Sequence, residues 1–232
     1  MEYKDVIKGE FLSRPNRFIA HVIINNQEEI VHVKNTGRCK ELLIKGATVY
    51  LELSDNPNRK TKYDLIMVEK WCSDSNQIRF INMDSQAPNK AVGEWLKQGI
   101  YIKDPLIIKP ETKFGNSRFD FYIETKNRKI FLEVKGVTLE DKGIVKFPDA
   151  PSLRAVKHLE ELIQCMKQGF EAYVFFLIQM KDVNFFEPND ITHKLFGDTL
   201  RKAKDAGVHV IAYDSVVWEK GIMVGVPVPI VF

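Results

Sequence analysis

Residues 117–136 read SRFDFYIETKNRKIFLEVKG. Two β-rich runs, 118–124 and 129–135, flank a polar turn at 125–128, and this pattern predicts a β-hairpin. Side chains alternate along a strand, so Glu133 and Lys135 share one face while Leu132 and Val134 take the other. Asp120 lies on the partner strand between Phe119 and Phe121, which are expected to face the opposite way. Hairpin pairing then brings Asp120 and Glu133 together at the open end. Charges at the end of an apolar run are costly unless they are paired or used.

Two carboxylates and a lysine are the groups that metal-assisted phosphodiester hydrolysis needs. Carboxylate oxygens suit Mg²⁺ or Mn²⁺, and Mg²⁺ takes one or two protein carboxylates and keeps several waters. Such an ion polarises a phosphate and acidifies a bound water. A lysine beside it can orient that water or stabilise the negative charge of the transition state. The spacing D-x₁₂-E-x-K is the signature of the PD-(D/E)XK nucleases. E-x-K by itself is common, and a solvated strand end accounts for most cases. The upstream Asp, the apolar flanks and the helix–strand pattern that follows favour the site.

Upstream of the hairpin, short strands are expected at 6–12, 17–24, 29–33, 48–53, 65–71 and 78–81. Pro15–Asn16 and Asn25–Asn26 supply turns between them, and a basic loop, KNTGRCKELLIKGA (34–47), runs into a short helical turn. So many strands in so few residues suggest a small barrel. An oligonucleotide-binding (OB) barrel is a natural candidate, although periodicity does not separate it from other small barrels. Downstream, helical faces appear at 87–98, 153–167 and 191–206, with buried-type strands at 172–178 and 208–213. Ser152 is placed to cap the second helix, and Gly169 to terminate it. This order describes an α/β domain over a mixed sheet. The expected division is 1–84 and 85–232.

The 232 residues are 44% hydrophobic and 28% charged, which suits a folded globular protein and excludes collagen-like and disordered classes. No run approaches the ~20 apolar residues of a membrane span. The start, MEYKDVIKGEFLSR, carries charges where a signal peptide is apolar, so a cytoplasmic location is expected. Cys39, Cys72 and Cys165 are far apart and form no C-x-x-C pair, which points to reduced thiols. Thirty-four basic against 31 acidic side chains leave a net charge of +3, which permits a nucleic-acid partner without requiring one.

The longer text points further. FLEVKGVTLEDKGIVKFPDAPSLRAVKHLEEL (131–162) and GNSRFDFYIE (115–124) resemble the sugar fermentation stimulation protein family. FLSRPNRFIAHV (11–22) and HVKNTGRCKELL (32–43) match it as well, so the resemblance covers nearly the whole chain. It implies an N-terminal OB-like domain, a C-terminal domain of the PD-(D/E)XK nuclease fold, and DNA binding. Carried over position by position, the nuclease pattern puts its acids at Asp120 and Glu133, which would hold Mg²⁺ or Mn²⁺, and its lysine at Lys135. Nuclease folds of this type often add an acid from the preceding helix, which points to Glu94.

Other residues admit two readings. Arg154 and His158 share a helical face after the hairpin, where they can reach a phosphate or leaving group or form an ordinary polar surface. Arg14, Arg17, Lys34, Asn35, Arg38 and Lys40 gather around two turns and a loop. They suit phosphate and sugar contacts, and they also suit plain surface charge. Arg118 completes the DNA-contact set. Phe11 and Phe18 can stack on bases but are better read as core, and His21, His32, His193 and His209 are read as structural. The apolar tail VGVPVPIVF (224–232) fits a sheet edge or a homodimer contact. The expected function is a DNA-binding protein with a metal-dependent nuclease site. The alternatives are a DNA-binding regulator of sugar-metabolism genes that retains a nuclease-like fold without cutting, and a site for a nucleotide or other phosphate ligand.

Overall fold

The computed structural model describes residues 1–35, 37–72 and 76–232; Thr36, within the basic loop, lies outside them. The chain opens with β1 (Val6–Ser13), β2 (Ile19–Ile24), β3 (Gln27–Val33), β4 (Thr48–Leu53), β5 (Tyr63–Cys72) and β6 (Gln77–Asn82). Their order is β3-β2-β1-β4-β5-β6, and a parallel pairing of β3 with β5, His32 to Asp64 and Val33 to Leu65, closes the first five into a barrel. Alternation explains the interior. Ala20, Val22 and Ile24 of β2 point inward with Val31, Val49, Leu51 and Leu65, while their neighbours face out. Asn25 and Asn26 both adopt positive φ, the backbone a tight β2–β3 turn requires and Asn tolerates. The helical turn expected after the basic loop is only a pair of hydrogen bonds from the amides of Leu42 and Leu43 to the Cys39 carbonyl.

After β6 the pattern changes. Helix α1 (Ala87–Lys97), with Pro88 in its first turn, leads to β7 (Ile107–Phe114), β8 (Ser117–Glu124) and β9 (Lys129–Val137). A small sheet follows from β10 (Leu139–Asp141) and β11 (Ile144–Phe147). Then come α2 (Leu153–Lys167), β12 (Glu171–Ile178), β13 (Phe185–Pro188), α3 (Asp190–Asp205), β14 (His209–Trp218) and β15 (Gly221–Pro227). The main sheet runs β15-β14-β12-β9-β8-β7. β9, β12 and β14 are parallel and central, and antiparallel strands lie outside them. Helix α1 covers one face, packing Ala91, Val92 and Trp95 against Leu132, Val134 and Phe175. Helix α2 covers the other with Ala155, Leu159 and Leu162. β12 is buried along almost its whole length, as a central strand covered on both faces must be. The fold class is the expected one, an OB-like barrel followed by a mixed sheet with flanking helices.

Strands β7, β10, β11 and β13 have no counterpart in the sequence reading. β7 is an edge strand interrupted by Pro110 and by Glu111 at positive φ, so it carries no clean alternation. The other three are four residues or fewer, too short for a period. The predicted cap is present: the Ser152 side chain accepts from the Ala155 amide, and Gly169 takes positive φ just past α2. Cys39, Cys72 and Cys165 are buried and not disulfide-linked. The tail pairs β15 along β14 at the sheet edge, and Ile230 bridges to Phe186. Among the described residues no helix is long and apolar enough to cross a membrane.

Barrel and mixed sheet are joined firmly. The Asn82 amide donates to the Gln179 carbonyl (2.9 Å), and the Gln179 amide donates to the Val137 carbonyl (2.8 Å). Buried Glu140 receives Lys70 at 2.6 Å and Arg79 at 2.9 Å, from β5 and β6 of the N-terminal sheet.

Candidate active site

The hairpin places its charged residues beside the N-terminal half of α2. Glu133 is 3% exposed. Its Oε1 accepts from Lys135 Nζ (2.6 Å) and from His158 Nδ1, and its Oε2 is buried with no hydrogen-bond partner. Burial pushes the Glu133 carboxyl up. His158 and Lys135 outweigh that, and the net shift is downward, so the group is held ionised. An ionised, buried oxygen without a partner is expensive.

Asp120 departs from simple alternation. A regular strand would set Phe119 and Phe121 on one face. Phe119 instead packs with Phe131 and the His158 ring on the α2 side, while Phe121 lies against Gly93 on the α1 side. The β8–β9 ladder stops at Phe121–Leu132, one step short of Asp120. There the Asp120 carboxylate replaces the missing main-chain acceptor. Its Oδ2 takes the Val134 N–H (2.7 Å), and its Oδ1 takes the Asn89 carboxamide (2.7 Å) from α1. Burial, then the charge of Glu133, raises its pKa to about 6 against the pull of Val134, Lys135 and Asn89. Burial and the Glu133 charge thus push Asp120 up, while His158 and Lys135 hold Glu133 down.

Of the predicted catalytic set, Asp120, Glu133, Lys135 and His158 converge. His158 is buried at 5% exposure against Glu133, so it does not form an exposed polar surface. Glu94 does not join them: its carboxylate pairs with the N-terminal ammonium of Met1 at 2.6 Å and is largely exposed. The α1 residue that reaches the acids is Asn89, which the sequence reading missed because an amide on a helix surface carries no distinctive signal.

The predicted DNA contacts divide. Arg17, Arg38 and Lys40 are exposed around a groove of about 490 Å³ that also includes Phe11 and Lys45. Phe18 is 45% exposed, not core, and the Arg17 guanidinium lies 4.6 Å from its ring centre. Phe11 is core. Arg14 is a scaffold: its guanidinium donates to the carbonyls of Arg17, Asn35, Gly37 and Arg38 at 2.6–2.8 Å. Asn35 accepts the Gly37 amide and shapes the same loop. Lys34 turns inward to Glu52, Asp64 and Asp84 at 3.3–3.5 Å, so it is a partly buried counter-ion and not a free cation. Arg118 is exposed, 3.7 Å from Glu111, and Arg154 is exposed on α2. The remaining histidines are structural as read: His21 meets Glu28, His32 meets Asp64, His193 meets the Ser152 amide, and His209 stacks on Tyr173.

Among the described residues no cluster of three or more His, Cys, Asp or Glu side chains is arranged around a metal. A cation here would rest on Asp120 and Glu133 with water completing its shell, a donor set that suits a hard divalent ion. The unpartnered Glu133 Oε2 fits that role.

Comparison with known proteins gives a consistent result. Residues 12–75 match the SfsA N-terminal OB domain, and residues 86–221 match the Sugar fermentation stimulation protein RE domain. The chain is 60% identical over 222 residues to the sugar fermentation stimulation protein homolog of Clostridium beijerinckii, covering 96% of each. It is 55% identical over 219 residues to that of Ruminiclostridium cellulolyticum, covering 94% of each. In three dimensions it is similar to the structure of Pyrococcus furiosus SfsA in complex with Ca²⁺, with TM-score 0.87, 27% identity, and coverage of 100% of this chain and 98% of that one. The chain therefore belongs to the sugar fermentation stimulation protein family.

Proposed function

We propose that this protein is a divalent-metal-dependent DNA phosphodiesterase built on a PD-(D/E)XK-type site. The observation that carries the reading is the state of Glu133. One oxygen is fixed by Lys135 and His158, and the other is buried and unpaired. A purely structural ion pair would satisfy both. The Ca²⁺ complex of the Pyrococcus relative supports a divalent ion as the missing partner. Mg²⁺ or Mn²⁺ is the ion proposed here.

Asp120 and Glu133 would hold the ion, which supplies Lewis-acid polarisation of the phosphate and a more acidic bound water. The protein's own groups do the rest. Asn89 and the Val134 amide aim the Asp120 carboxylate. His158 fixes the rotamer of Glu133 and acts as a positioning residue. The Lys135 ammonium, 2.6 Å from Glu133, is poised to meet the charge that builds on the non-bridging phosphate oxygens. In the net reaction the water oxygen bonds to phosphorus and the P–O3′ bond breaks. One water proton ends on the 3′ oxygen, leaving a 3′-hydroxyl and a 5′-phosphate. The barrel groove with Arg17, Arg38 and Lys40 supplies cations for phosphates, and exposed Phe18, next to Arg17 in the chain, offers a ring for a base.

The test is a cleavage assay with labelled single-stranded, duplex and branched DNA, and RNA, in Mg²⁺, Mn²⁺ or EDTA. Metal-dependent product from the native protein, lost in Glu133→Ala and Lys135→Ala, is the expected result. Tight binding with no product in any metal would replace the enzyme with the non-cutting regulator.

A further inference from the structure

Beyond the end of the catalytic strand lies a second, smaller cavity of about 150 Å³. That is roughly the space of five water molecules, and it is well below the ~300 Å³ at which sites for drug-sized ligands begin. It is lined by side chains of both domains, among them Asn35 of the barrel loop and Thr138, Asp149 and Gln179 of the mixed-sheet domain. Gly37 lines this cavity and the large cationic groove alike, so the two meet there. A side chain at Gly37 would collide with the Asp149 carboxylate and crowd the Asn35 carboxamide, so glycine lets the barrel loop pack closely on Asp149.

Val137 and Thr138, on the cavity wall, follow Lys135 by two and three residues. At the rise of a strand they lie about 7–10 Å past it, the reach of one nucleotide rather than several. The far side is closed. Gln179 is buried, and its amide nitrogen is tied to the Asn82 carbonyl (3.1 Å), the Asn82 side chain (2.9 Å) and the Asp84 carbonyl (3.1 Å). Its oxygen packs over Gly136. Behind it the ion pairs of Glu140 with Lys70 and Arg79 lock the domains together. A strand laid in the groove has no outlet in this direction.

We propose that this cavity is a terminal-nucleotide pocket. It receives the base at a DNA end, so the site releases nucleotides from ends and does not cut inside a strand. The inference rests on the phosphodiesterase reading above. Its lining suits a base edge better than a phosphate: amide, hydroxyl and carboxylate groups offer donors and acceptors, and the Asp149 carboxylate repels an anion. Lys146, the one cation of the lining, is engaged by Glu187 at 2.7 Å. Release of the end nucleotide is the same hydrolysis: water adds to phosphorus, the P–O3′ bond breaks, and the 3′ oxygen takes the proton.

The experiment compares linear and covalently closed circular forms of one DNA, single-stranded and duplex, with Mg²⁺ or Mn²⁺ and label at either end. The expected result is mononucleotides from the linear form and no cutting of the circle. Thr138→Phe, which fills the cavity, should slow mononucleotide release at least tenfold with no loss of melting temperature. Asp149→Leu, at an exposed position, gives a second variant should Thr138→Phe fold poorly. Circles cut as fast as linear DNA would overturn the pocket and leave the phosphodiesterase standing. No cutting of either form by the native protein would remove both.

Discussion

Asp120→Asn should make this protein more stable at neutral pH and no more stable in acid. An ordinary Asp carboxyl titrates near about 3.9, and that of Asp120 is raised to about 6 by burial and by Glu133. Each unit of that difference is worth about 1.4 kcal/mol, so the ionised side chain costs the native state ~3 kcal/mol. The sign follows from proton counts. Between about pH 4 and pH 6 the native state holds a proton that the unfolded chain has released, so stability falls as pH rises. Below that window the penalty is absent, and above it the penalty is complete. Asn cannot ionise, and its oxygen can still accept the Val134 N–H. Its NH₂ group then faces Asn89, whose amide must turn over, and about 1 kcal/mol is subtracted for that exchange. The net expectation is ~2 kcal/mol of stabilisation at pH 7.5 and, with little but the exchange cost left, a loss of up to about 1 kcal/mol at pH 4. Urea denaturation in EDTA at both values measures it. Adding Mg²⁺ should then raise the stability of the native protein and not that of the variant, because only the former binds the ion well. A variant less stable at pH 7.5, or a gain equal at both pH values, would refute the account of the carboxylate pair.

Three further outcomes follow from the placement of single residues. Arg38→Ala should weaken DNA binding uniformly across sequences and reduce the slope of log affinity against log salt by about 1, measured by fluorescence anisotropy, because a free phosphate contact releases about one counterion. Lys34→Ala should act differently: it strips a cation from buried Asp64 and Asp84, so chemical denaturation should show a loss of ~2–3 kcal/mol, while the salt slope stays unchanged. Glu94→Gln should leave the cleavage rate within twofold of the native protein, since the carboxylate meets only the N-terminal ammonium; a hundredfold loss would return Glu94 to the site.

Much of the architecture was legible because it rests on local periodicity. The run AYVFFLI fitted a strand covered on both faces, and α2 carried its apolar face, its Ser152 cap and its Gly169 stop in the text. β7 was hidden because an edge strand with Pro110 and a left-handed Glu111 shows no alternation. At the site, the D-x₁₂-E-x-K spacing picked out Asp120, Glu133 and Lys135 as neighbours on one hairpin, but that Asp120 is held by the Val134 amide and Asn89 where the ladder ends was not legible. His158 was visible only as one of two readings. Its burial against Phe119 depends on how α2 packs across the sheet.

The basic residues show the division most clearly. By itself the sequence determined that Arg14 lies beside a turn and that Lys34 and Arg38 share one loop. It did not determine which of them is free to bind. Tertiary structure turned Arg14 onto four carbonyls and Lys34 onto three carboxylates from distant strands, leaving Arg38 exposed. Helix and strand periods are written in nearest-neighbour sterics and solvent contact. The partner of a long cationic side chain is set by which far segments fold against it, and that information exists only once the barrel and the mixed sheet have closed on each other.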